Sequence, residues 1–347
     1  MMRYVTSSLL CLLIASAHAV NPPFCVDTPQ KLRDAFVTAQ NNGPASNEIR
    51  IVRGTYSTGG TRFVYDAGSS ASDGNLVVEG GYNADCTTQI PNAALTVLDG
   101  AGLAGVLSVG GSVGSITVKY LTIQNGKNQD ALGVGSVNGN ATASFNIVRN
   151  SQPSGVLAGA LSVAASGTIH VDNNLVYAND LGDGGGSVVI LMSGNVNTFV
   201  TNNTVTGNTN ASVSNPNGGV YFSYFFTSST PAAYFSNNIF WNNSSTGLYV
   251  NGATAQAQTH LHNNDIGSAN VDTSCCLNVS VAPQFVDKNV DNYHLSAASP
   301  LLGTGTTAPS GGLPLLDLDG NPRFFNGLVD LGAYERGNEI FADGFDR

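Results

Sequence analysis

Between Tyr120 and Ser280 the only close pair of carboxylates is Asp180 and Asp183, in the stretch Asp180–Gly186 (DLGDGGG). Two carboxylates held about 5–9.5 Å apart can act as acid and base in glycoside hydrolysis. The same Asp/Gly composition also suits a turn, because Asp bonds nearby main chain and Gly adopts left-handed angles. The turn is the favoured reading. The same region holds two basic residues, Lys127 and Arg149, with six Asp and no Glu. They fall in different repeats and offer little to an anionic polymer. His260 and His262 are two apart in sequence, but no third metal ligand is evident beside them, so no metal site is expected there. Asp317–Asn321 (DLDGN) is like the start of a calcium loop without its terminal Glu. The favoured reading is a turn in which Arg323 pairs with Asp330 or Glu335. Calcium is the one ion these motifs raise, and no other cofactor is expected.

Short strands must position all of these residues. His170–Asn179 (HVDNNLVYAN) is rewritten as Phe199–Asn208 (FVTNNTVTGN), Tyr234–Asn243 (YFSNNIFWNN) and from His260 (HLHNNDIGSAN), with looser copies at Val118–Gly126 and Thr142–Asn150. Taking the second Asn of each pair as the register, the column reads Thr122, Asn146, Asn174, Asn203, Asn238, Asn264, in steps of 24, 28, 29, 35 and 26 residues. A period of this size built from strand-like pieces marks a solenoid. Apolar residues recur three before the register (Val171, Val200, Phe235, Leu261) and two after it (Val148, Val176, Val205, Phe240, Ile266). Side chains alternate across a strand, so these columns face inward. Stacked Asn amides about 4.8 Å apart can bond one another up the column. An unpartnered buried amide would cost roughly 1–3 kcal/mol. Ladder use also accounts for Asn202, Asn243 and Asn278, which begin Asn-X-Ser/Thr triplets.

If offset −3 points inward, offsets −4 and −2 point outward. Offset −4 gives Val118, Thr142, His170, Phe199, Tyr234, His260; offset −2 gives Tyr120, Ser144, Asp172, Thr201, Ser236, His262. The stripe His170–Phe199–Tyr234–His260, with Asp172 and His262 beside it, is the expected ligand-contact face, because exposed rings beside hydrogen-bonding groups suit a sugar ring.

The 347 residues are 10% charged, against roughly 25% in ordinary domains, and the net charge is −10. That balance excludes nucleic-acid binding. Residues 1–19 read as a signal peptide, with Arg3, the apolar run Leu9–Ala15 and the cleavage site Ala17-His18-Ala19. The expected destination is outside the cell or on its surface, with no membrane span in the mature chain. Cys25, Cys86, Cys275 and Cys276 then remain. Their even number in an exported chain suggests disulfides. Cys25–Cys86 would pin the N-terminal cap, and Cys275–Cys276 are open to a strained vicinal bridge. Thr28 caps a helix over Gln30–Gln40, whose stripe Leu32, Ala35, Phe36, Ala39 closes the first coil. The expected organisation is a parallel β-helix with its cap over 20–280, a closing segment over 281–337 and a tail over 338–347.

The opening helix, strand and Gly54-Thr55-Tyr56, the NN coils, and the ending Asp317–Glu335 (DLDGNPRFFNGLVDLGAYE) resemble secreted right-handed parallel β-helix proteins of the pectate-lyase-like superfamily. The ending resembles a choice-of-anchor Q segment. The resemblance implies an all-β right-handed parallel β-helix solenoid, of about nine to eleven coils here, export, and contact with a polysaccharide or cell-surface glycan. It does not imply one activity. Lyases of this superfamily use a Lys or Arg base. Its polygalacturonase-like hydrolases use Asp-Asp, Gly-His-Gly and Arg-x-Lys, which this chain lacks. A non-catalytic glycan-contacting protein is therefore favoured, and a polysaccharide lyase or glycoside hydrolase is the alternative.

Overall fold

The computed structural model describes residues 22–68, 74–112, 114–155, 157–182, 184–211, 217–224 and 231–336. Residues 1–19, read above as a signal peptide, Asp183 and the tail 338–347 lie outside them. The chain winds as a right-handed parallel β-helix. Three parallel sheets of nine, eight and seven strands run its length among the described residues. Each regular coil contributes a strand to the nine-stranded sheet, bends at the NN pair into the eight-stranded sheet, and crosses a loop to the seven-stranded sheet. There are about eight turns rather than nine to eleven, because loops between sheets take up much of each 25–35-residue period.

Alternation explains the core. Ile49, Val78, Val118, Ala143, Val171, Val200, Phe235 and Leu261 stack in one inward column, and Leu98, Ile123, Val148, Val176, Val205, Phe240 and Ile266 in another. All belong to a single buried cluster that continues into the seven-stranded sheet. The helix Pro29–Gln40 covers its first end. Thr28 Oγ1 accepts from the Lys31 amide, and Leu32, Ala35, Phe36 and Ala39 are buried, as their spacing predicts.

The register Asn residues form the expected ladder. Amides donate from Asn146 to Asn174 (3.2 Å), Asn174 to Asn203 (3.0 Å), Asn203 to Asn238 (2.9 Å), Asn238 to Asn264 (2.9 Å) and Asn264 to Asn278 (2.9 Å). Each acceptor oxygen also takes the backbone N–H of the coil before it. The first rung differs from the sequence reading. Leu121, not Thr122, pairs with Asn146 and donates its amide to it at 3.2 Å. With no NN pair in that coil to fix the register, the strand reads equally well one residue out, and a one-residue slip exchanges its faces. Lys119 and Thr117 therefore take the outward places assigned to Tyr120 and Val118.

Cys25 and Cys86 are bridged, with Cα atoms 5.6 Å apart. Cys275 and Cys276 are free and exposed. Neighbouring Cα atoms about 3.8 Å apart lie closer than a relaxed disulfide prefers, so the vicinal bridge is not formed. The Cys25–Cys86 loop spans 61 residues, for which chain entropy gives about 4 kcal/mol. The double variant Cys25→Ser/Cys86→Ser is expected to lose most of that in urea unfolding. An unchanged midpoint would show that the bridge adds nothing.

Candidate functional site

Beyond the last coil the chain turns back and lies along the bend between the nine- and eight-stranded sheets. The first Asn of each NN pair holds it there. Asn173, Asn202, Asn237 and Asn263 adopt left-handed angles (φ 52–60°), which Asn tolerates. Their amides donate outward, to the carbonyls of Leu316, Asp330, Thr306 and Thr304 respectively. Under this segment Leu175, Tyr177, Tyr293, Leu318, Ala333 and Tyr334 form one apolar cluster, and Ile239, Leu295, Leu301 and Leu331 another. Arg323 is fully buried. It donates to Asn173 Oδ1 at 2.6 Å, to the Ala333 and Gly332 carbonyls at 2.6 and 3.1 Å, and to Glu335 at 3.4 Å. Of the two expected partners the ion pair forms with Glu335, and it fastens the segment to the side of the coils.

The DLDGN stretch is a turn. Asp317 is buried; its Oδ1 accepts from the Asp319 and Asn321 amides at 3.0 and 2.7 Å and its Oδ2 from the Glu335 amide at 2.9 Å. Among the described residues, no three of His, Cys, Asp and Glu group to hold a metal. Asp180 is exposed and accepts weakly from Gly182 and Thr209 at 3.4 and 3.3 Å. Asp183 lies outside the described residues.

The expected contact face is the outer side of the nine-stranded sheet. One outward column reads Glu48, Val77, Thr117, Thr142, His170, Phe199, Tyr234, His260, and the next Arg50, Glu79, Lys119, Ser144, Asp172, Thr201, Ser236, His262. The rings of His170, Phe199, Tyr234 and His260 stack in file, with centroids 5.1, 5.6 and 5.0 Å apart. Phe199 is partly covered, since Gly311 of the returning segment packs on its ring. Asp172 lies 3.6 Å from His170 Nδ1 and 3.5 Å from Ser144 Oγ. Burial raises its pKa, and His170 and Ser144 draw it back. His262 is exposed at the far end.

Two features of this face were missed. Lys119 Nζ pairs with buried Glu79 at 2.9 Å, and Tyr82 donates to the same carboxylate at 2.5 Å. The correct register would have placed Lys119 in the outward column. The second is a groove of about 540 Å³ between the sheet and the strap Gly311–Leu316, floored by Tyr120, Phe145 and Asp172.

No family model matches this chain, and no curated protein matches it. A solved structure that is similar is that of pectate lyase Pel9A, at 14% identity, covering 92% of this chain and 98% of that chain, with a TM-score of 0.36. The likeness is one of fold alone. Among the described residues, no helix is long and apolar enough to cross a membrane.

Proposed function

We propose that this is an exported or cell-surface β-helix protein that contacts glycans without cleaving them. The observation that carries the reading is the stacked file His170–Phe199–Tyr234–His260 on a sheet face whose neighbouring column is polar over most of its length. Rings stacked in file at strand spacing cover most of one another's faces and turn their edges outward, which makes an apolar ridge for a glycan to lie along, with hydroxyls and a carboxylate beside it. The leader-like residues 1–19 and the likeness of the ending to a choice-of-anchor Q segment support the placement outside the cell.

One observation favours a second reading, a polysaccharide-degrading enzyme: Asp172 is a carboxyl raised by burial at the edge of a groove. A hydrolase also needs a second carboxylate within about 9.5 Å. In the same column Glu79 is three strands away, about 14 Å at strand spacing, and it is held by Lys119 and Tyr82. Asp180 bridges in parallel to Thr209 just before a turn and lies outside both outward columns. The non-catalytic reading is therefore the stronger.

Tyr234→Ala is expected to weaken binding to a glycan captured by the parent protein about tenfold. The double variant Phe199→Ala/Tyr234→Ala should weaken it further. Glycan-array binding of the folded variants checks this; unchanged binding would eliminate the face. A reducing-sugar and unsaturated-product screen tests the second reading, and turnover abolished by Asp172→Asn would establish it.

A further inference from the structure

Resting on the glycan reading, we infer that the groove between Tyr120, Phe145, Asp172 and the strap Gly311–Leu316 is a subsite for one ring of an uncharged sugar, and that this face selects neutral glycans over uronate-bearing ones.

Backbone strain supports the location. At the bend of each coil the chain uses Asn in the left-handed region four times in succession, at 173, 202, 237 and 263. At the two preceding bends it uses Tyr120 and Phe145 instead, at φ 57° and 56°. A bulky residue there is uncommon and carries a local penalty. Such outliers point to function where the surroundings hold them. Here the two side chains bring their rings together, with centroids 5.0 Å apart, and both rings line the groove. Its volume lies in the range of small-molecule sites.

Charge selects the occupant. The Lys and Arg residues in the two outward columns are Arg50 and Lys119. Arg50 is bonded to Glu48 at 2.6 Å and Lys119 to Glu79 at 2.9 Å. Each cation is thus neutralised before a ligand arrives. Asp172, at the groove itself, presents acceptor oxygens suited to sugar hydroxyls and opposes a carboxylate. The strap 311–316 (GGLPLL) adds backbone and apolar surface and no charge. A neutral, hydroxyl-rich ring with one apolar face fits these walls.

The test is an array of neutral oligosaccharides and their uronate-bearing counterparts, read with the parent and three variants. The parent should prefer the neutral members by about tenfold or more. Phe145→Asn installs the residue the later coils use at this bend; it should keep the melting temperature and lose about tenfold in affinity. Leu313→Trp, which fills the groove from the strap side, gives the same readout without altering the coils. Asp172→Asn should narrow the gap between neutral and uronate-bearing ligands. Equal or tighter uronate binding would overturn the charge selection and leave the glycan reading standing. Full affinity in folded Phe145→Asn or Leu313→Trp would overturn the groove. A silent array would overturn the glycan reading and this inference with it.

Discussion

Asp265→Asn is expected to stabilise the protein above pH 7 by about 4 kcal/mol and to change little near pH 4. Asp265 stands one residue past the register Asn of the last full coil and is fully buried. Its Oδ1 accepts from the Val281 amide at 2.9 Å, while its Oδ2 has no partner. Burial pushes the carboxyl from 3.8 up to about 7, and the Val281 bond only partly opposes it. In the unfolded chain the group ionises near its ordinary value; in the folded protein it keeps its proton until about pH 7. The contribution of Asp265 to stability is therefore fully present below pH 3.8 and falls as pH rises to 7, by about 1.4 kcal/mol per unit. Glu335, raised to about 7 by burial and by the neighbouring charge of Asp330, pulls the parent in the same direction. The difference between parent and variant isolates Asp265. Urea midpoints from pH 4 to pH 8 check this: the two curves should meet at acid pH and diverge through the window. A constant gap would sink the assignment.

The sequence carried the fold through its repetition. A buried Asn needs partners, and a chain that places one at the same offset on successive coils discloses both the stacking and the inward direction of its neighbours. The helix cap was legible for a similar reason, since Thr28 and the stripe from Leu32 to Ala39 leave one consistent placement. The first coil was read one residue out because Leu121 has no side-chain amide to mark the register. That slip hid Lys119. A second ladder, Asn179–Asn208–Asn243, closes the quoted repeats; alignment on the NN pair brings only Asn243 into a ladder reading and leaves Asn179 and Asn208 without a role. The outward role of Asn173, Asn202, Asn237 and Asn263 depends on a segment that follows them by 41–143 residues. No local pattern encodes where that segment lies. The aromatic file was placed correctly by alternation. The groove beside it was not, because the strap that roofs it comes from the same distant segment.

Arg323→Met is expected to cost about 3–5 kcal/mol and to release the closing segment from the coils. The guanidinium is fully buried and joins three places: Asn173 on the coils, the Gly332 and Ala333 carbonyls, and Glu335. Desolvation lowers its pKa, and the charges of Glu335, Asp317 and Asp330 oppose that. Met replaces the stem but leaves one amide oxygen, two carbonyls and a buried carboxylate without their donor. The loss therefore exceeds that of an exposed pair. Arg323→Lys should recover little, because one ammonium cannot reproduce a planar fork that reaches Asn173 and Glu335 together. Hydrogen exchange separates local release from global unfolding. The Gly332 amide donates to the Asn237 carbonyl at 2.8 Å, and the Ala333 amide to Thr204 Oγ1 at 3.0 Å. Both should lose protection in Arg323→Met while core amides such as Val171 and Val200 keep theirs. The strap 311–316 belongs to the same segment, so its groove should lose ligand affinity in the same variant. Full protection at Gly332 and Ala333 with an unchanged melting temperature would show that the apolar clusters alone hold the segment, and that Arg323 is not its fastening.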